Sequence, residues 1–188
     1  MHTYKTFILS KISSIDSVYT QGLIPLKSEQ YNQKFIEIFQ NYTGLNQPTL
    51  EQLNSSIDRC KEHLPYRENR IYLQIREQEL LETSTGYLLY GSEYLHMLAN
   101  EIKPYSCSYQ NYLKNHGIAT IFNAHVPIEH MTNFDSLLLD FMCIVQRQQT
   151  DEDFPHDLSI HTTHHIKPTQ IFGYYHPDTR YLIDYHQP

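Results

Sequence analysis

The sequence predicts a small α+β domain in which N-terminal helices pack against a split, mainly antiparallel β core. Two stretches in the first third, residues 29–42 and 50–64, place apolar residues at helical spacing. Short apolar or alternating runs bounded by turn residues recur at residues 4–10, 70–76, 119–126 and 171–175, as strands do. The chain has 188 residues, 40% hydrophobic and 19% charged, enough for one core and short for two, so residues 1–188 are read as a single domain.

Residues 4–10 read as a strand, and Ser13 or Ser14 caps a short helix through Ile15, Val18 and Tyr19 that Gly22 stops. In residues 29–42, Tyr31, Phe35, Ile38 and Phe39 follow the helical period, with Gly44 as terminator. Pro48 and Thr49 open a second amphipathic helix, residues 50–64, which ends near Pro65. After the polar turn 66–69, Ile71, Leu73 and Ile75 alternate as a strand does. Gly86 and Gly91 bracket the apolar residues 87–90, and a helix is expected from Ser92 through Ile102. Residues 119–126 form a strand that Pro127 closes. The apolar run 137–145 fits a strand or a buried helix, because periodicity does not separate the two. The tract 146–155, QRQQTDEDFP, has little to bury and reads as a flexible loop or lid. A strand over 159–164, a turn at Pro168, a last strand over 171–175 and a tight turn near Pro177 and Asp178 lead into residues 181–185.

Composition narrows the function. Lys and Arg total 14 against 21 Asp and Glu, a net charge of -7, which argues against a surface built to wrap duplex nucleic acid while leaving room for a local basic site. Cys60, Cys107 and Cys143 include no CxxC pair, so neither a disulfide framework nor a cysteine zinc knuckle is indicated, and a reducing, cytoplasmic setting is expected. No run reaches signal-peptide or membrane-span length, so no membrane partner is expected. GxxxxGK[ST], GxGxxG and GxSxG are all missing, which disfavours the common nucleotide and hydrolase signatures.

The 12 His and 16 Tyr are the anomaly. His156, His161, His164 and His165 cluster, with His176 and His186 downstream, and imidazoles at this density are raw material for a metal site. The spacing matches no HExxH, and ordinary hydrogen-bonding roles are the plainer reading. Ser92 and Glu93 fall at a helix N-terminus, where backbone donors and the dipole hold an anion or a carboxylate. There Glu93 either stabilises positive charge developing on a sugar or simply improves the helix start. Tyr87, Tyr90 and Tyr94 offer a stacking wall for a base or nicotinamide, although spacings of three and four are also those of a buried helix face.

The segment FILSKISSIDSVYTQGLIP, from Phe7 to Pro25, resembles the opening unit of the ADP-ribosyltransferase-like superfamily, nearest to its DNA-targeting toxins. That unit is a strand of the type aromatic-His-x-Thr followed by a short helix and Gly-Leu. The spacing matches from Phe7 through Ser10, Ile15, Val18, Gly22 and Leu23, with Ile8 at the His position and Ser10 at the Thr position. YLLYGSEYL looks like the strand and helix flanking the nicotinamide pocket of this group, and HHIKPTQIFGYY like its late Ile-x-Pro-x-x-Ile segment. The resemblance implies an ADP-ribosyltransferase-like fold that binds NAD and transfers ADP-ribose to a protein or nucleic-acid acceptor. Glu93 and His161 are then the catalytic residues, His161 standing where the family's late acid is missing. Tyr90 stacks the nicotinamide, Ser92 lies beside it, and Ser10, Lys11 and Arg76 contact ribose or diphosphate.

Two other classes stay open. One is a noncatalytic interaction protein of a bacterial or viral defence or counter-defence system, binding through tyrosine-rich surface. The other is a His-dependent metal hydrolase built on the late histidines.

Overall fold

The structure is a computed structural model that describes residues 3–12, 14–25, 27–66, 68–75, 77, 81, 85–146 and 160–178. The expected tract 146–155 beyond Gln146, the expected segment 181–185, Ser13 and Arg76 lie outside the described residues. None of the described helices is long and apolar enough to cross a membrane.

A mixed α+β fold with an antiparallel core is observed. Strand β1 (Thr3–Ile12) pairs along its whole length with β3 (Ile118–Pro127), and β5 (Ile171–Tyr175) pairs with the far side of β3. A separate antiparallel ladder joins β2 (Ile71–Leu73) to β4 (Ile160–Thr162). Reciprocal backbone hydrogen bonds between Phe7 and Gln74, of 2.8 and 3.0 Å, dock the end of β2 onto β1.

The strands bury both faces. Ile8, Phe122, Ala124, Val126 and Ile171 pack with Ile71, Leu73, Ile160 and Val18 in one core. Phe7, Ala119 and Ile121 pack on the opposite face with Leu88 and Leu89. Those two leucines belong to α4 (Thr85–Tyr90), a helix where the family resemblance implied a strand. Leu88 and Leu89 are 1% and 4% exposed, and a strand would send such neighbours to opposite faces.

Helix α1 (Ile15–Gln21) sits on the sheet through Val18, as expected of an N-terminal helix. Ser14 holds the N-cap position in extended conformation, but its side chain makes no capping bond. Helices α2 (Ser28–Gln40) and α3 (Leu50–Cys60) depart from expectation. They build a second core with α5 (Glu93–Glu101) and α6 (Ser106–Asn115), where Phe35, Phe39, Leu53, Tyr94, Leu98 and Tyr109 meet. Their apolar stripes face one another rather than the sheet, because the aromatic rings of α2 interlock with those of α6: Phe39 and Tyr109 lie 5.7 Å apart, edge to face. Thr49 caps α3 as a capping box, with its Oγ1 accepting from Gln52 N at 3.2 Å and Gln52 Oε1 accepting from Thr49 N at 2.9 Å. The undecided run 137–145 is helical, within α7 (Phe134–Gln146), which follows β3 after a 3₁₀ turn (Ile128–His130).

Candidate functional site

The turn between α4 and α5 is built from its backbone outward. Gly91 adopts φ 86, and its N–H donates to Tyr87 O at 2.9 Å to close α4. Ser92 is extended at φ -169, and its Oγ accepts from Leu95 N at 3.0 Å to cap α5. The hydroxyl predicted to face a cofactor is thus buried and bonded within the helix start. Glu93 follows in the first turn with its side chain at the surface, where the helix dipole favours a carboxylate. The Tyr90 ring stacks on His96, with centroids 3.9 Å apart and planes at 14°, and Lys114 Nζ lies 5.6 Å from the same ring. One face of Tyr90 is therefore covered from within the chain.

His161 occupies the middle of β4 and is 6% exposed. Directly opposite it in the ladder stands Tyr72, with ring centroids 6.0 Å apart, and Tyr87 of α4 lies 6.2 Å beyond Tyr72. The structure so links one predicted catalytic residue to the helix that precedes the other, through a tyrosine that no sequence motif marked. Tyr72 was legible only as the outward position of an alternating strand.

Ser10 pairs with Thr120 across β1 and β3. By strand alternation it shares the face of Ile8, opposite the face covered by α4, so the sheet separates it from the turn of Tyr90 and Glu93. Lys11 pairs through its backbone with Ala119, and Arg76 lies outside the described residues. Next to Ser10 in the sheet, Thr120 Oγ1 meets His176 Nδ1 at 3.2 Å, and the same nitrogen contacts Ala119 O at 3.1 Å. A carbonyl only accepts, so the contact with Ala119 O is one that Nδ1 makes as a donor.

The late histidines among the described residues are dispersed. His164 stacks on His130, 4.0 Å apart with planes at 6°, and His165 Nε2 bonds Gln21 O at 2.6 Å. His156 and His186 lie outside the described residues. Among the described residues, no group of three His, Cys, Asp or Glu side chains is placed to hold a metal ion. Cys60 is 2% exposed, and burial, with the Glu101 charge adding and Arg59 opposing, pushes its thiol up, away from the reactive thiolate.

Two segments that carried the family resemblance meet in space. Leu23 and Ile166 exchange both backbone hydrogen bonds, at 2.9 and 3.0 Å. Gly22, at φ 80, lies so close to the Ile166 carbonyl and the His165 ring that a Cβ would run into both. No family model, curated protein or solved structure matches the chain. The arrangement therefore rests on its own geometry: a surface carboxylate at a helix start, a Tyr87–Tyr72–His161 aromatic row beside the preceding helix, and two interlocked turns.

Proposed function

We propose that the protein is an ADP-ribosyltransferase-like enzyme that binds NAD and transfers ADP-ribose to a protein or nucleic-acid acceptor. The observation that carries this reading is the interlock of Gly22-Leu23 with His165-Ile166, since two separately noticed motifs fit one another as parts of one unit. The half-buried rings of Tyr72 and Tyr87 support it as aromatic surface against which a nicotinamide would pack, and Glu93 by placing a carboxylate on the adjoining turn. In the reaction the bond between the ribose anomeric carbon and nicotinamide breaks, and its electron pair leaves with the nicotinamide. Glu93 supplies a negative field for the positive charge left on the sugar. A nucleophilic atom of the acceptor then bonds to the anomeric carbon and gives up its proton.

Isothermal titration with NAD tests the reading first, with saturable one-site binding expected. Glu93→Gln is expected to lower nicotinamide release by about 10²-fold or more with the melting temperature unchanged. Silence at millimolar NAD would overturn the proposal, and undiminished turnover in the variant would remove Glu93 from it. A second reading, a noncatalytic binding module, is favoured by the exposed rings of Tyr19, Phe172 and Tyr174, at 39%, 51% and 42%.

A further inference from the structure

We propose that the outer edge of β5 pairs with β5 of a second copy of this chain, antiparallel and about a two-fold axis at Tyr174, so that the two sheets join into one. The strand order β1-β3-β5 leaves β5 on the rim, and among the described residues no strand pairs with its outer side. A rim strand presents a row of backbone N–H and C=O groups to whatever comes alongside, and proteins commonly blunt such a row with charged side chains or Pro. Ile171–Tyr175 contains neither, and its middle residue is Gly173.

The register chooses the axis. Residues opposite one another in an antiparallel ladder lie on the same side of the sheet, and a two-fold axis perpendicular to the sheet keeps each side to itself. Tyr174 pairs with Phe122, and its ring contacts Phe122 and Tyr19 on the side of Ile8. Phe172 takes the other side: its ring lies 4.4 Å from that of His125, because the register shift at Asn123/Ala124 turns it over. An axis at Gly173 would set Phe172 against Tyr174 of the second copy, two rings on opposite sides. An axis at Tyr174 sets Tyr174 against its own counterpart and Gly173 against Tyr175. Gly173 and Tyr175 share a side, since they pair with Asn123 and Ile121. The regular run of the β3–β5 ladder, residues 173–175, is thus also the run that the second copy needs.

Charge and apolar surface fit the same partner. The exposed Lys167 lies ahead of β5 and the exposed Asp178 behind it. Antiparallel pairing carries each end of the strand to the opposite end of its counterpart, so the basic flank of one copy meets the acidic flank of the other, twice per dimer. Parallel pairing would bring like charges together. Tyr174 and Tyr19, 42% and 39% exposed, border the rim on one side of the sheet, and Phe172, 51% exposed, borders it on the other. The second copy therefore covers apolar surface on both sides of the backbone row. A five-residue strand and a few rings make a small contact, so the dimer is reversible.

The proposal does not rest on the transferase reading. Sedimentation of the full chain from micromolar to millimolar concentration tests it, with monomer giving way to dimer and to nothing larger, because a two-fold contact closes on itself. Over the same range, amide hydrogen exchange is expected to slow at residues 173–175. Tyr174→Lys sets two cations at the axis and is expected to weaken the dimer about tenfold or more. Lys167→Asp is expected to weaken it about threefold, and Lys167→Asp with Asp178→Lys to restore it. Far-UV circular dichroism checks that each variant is folded, and should Tyr174→Lys fail to fold, the charge swap decides. A chain that stays monomeric, a dimer that folded Tyr174→Lys leaves intact, or a swap that restores nothing would overturn the pairing. So would a dimer that Leu139→Lys dissolves instead, since Leu139 is exposed on α7, away from this rim.

Discussion

Gly22 holds φ 80 and ψ -165, a region that only glycine enters without strain, at a point where a Cβ would collide with the Ile166 carbonyl. Gly22→Ala is expected to cost about 1–3 kcal/mol, read as a lower denaturant midpoint at unchanged slope. The glycine was legible in the sequence as a helix stop, but the partner that demands it lies far along the chain. Tyr94 shows the same limit. Helical spacing marked it as core, yet only the structure supplies the Asn32 Oδ1 that accepts its hydroxyl at 3.0 Å. Burial, with nearby Cys60 adding, pushes its phenol from 10.0 up to about 12. The folded value lies above the unfolded one, so its contribution is complete below about pH 10 and is lost as pH rises toward about 12. Tyr175, raised first by burial and then by its bond to Glu77, adds to the same alkaline loss. Urea midpoints collected from neutral to strongly alkaline pH are expected to fall across this window, and to fall less in Tyr94→Phe.

At the scale of elements, chemistry at helix ends was more legible than the identity of short apolar runs. The helix from Ser92 was expected and is found, because a small polar residue ahead of an apolar-periodic run signals an N-cap locally. Ser92→Ala is expected to cost about 1 kcal/mol by chemical denaturation, whereas Glu93→Gln leaves that cap bond in place. Helix α6 went unanticipated: Tyr109 and Leu113 carry its buried stripe, set among serine, asparagine and tyrosine residues of middling helix propensity. Helix α7 was ambiguous for a different reason. Its run is apolar nearly throughout, and only docking buries Phe134 and Leu137 while leaving Leu138, Leu139 and Met142 exposed. The strand implied at residues 87–90 became a helix because Leu88 and Leu89 both turn toward Phe7 and Ile121.

At the scale of the molecule, the sheet core and the helical core divide the burial. Phe122, 0% exposed, anchors the first, and Leu98, also 0% exposed, the second. Phe122→Ala is expected to cost about 3–5 kcal/mol and Leu98→Ala about 2–5 kcal/mol. If residues 1–188 fold as one unit, both substitutions lower a single calorimetric transition, while two units would show two, each moved by one substitution. The sequence by itself determined the α+β class, the positions of most helices and strands, and the residue types available for chemistry. Periodicity, caps and turn residues act over a few positions, and those forces are written locally. Tertiary structure alone decided that α2 and α3 pack with α5 and α6, that Ser10 and Glu93 fall on opposite sides of the sheet, and that His164 and His165 turn to separate partners, His130 and Gln21. It also decided that Tyr72 meets His161 and that Phe7, Asn123 and Gly173 share a row. Strand register and the bulge beside Asn123 fix those meetings, and both depend on segments that no local pattern connects.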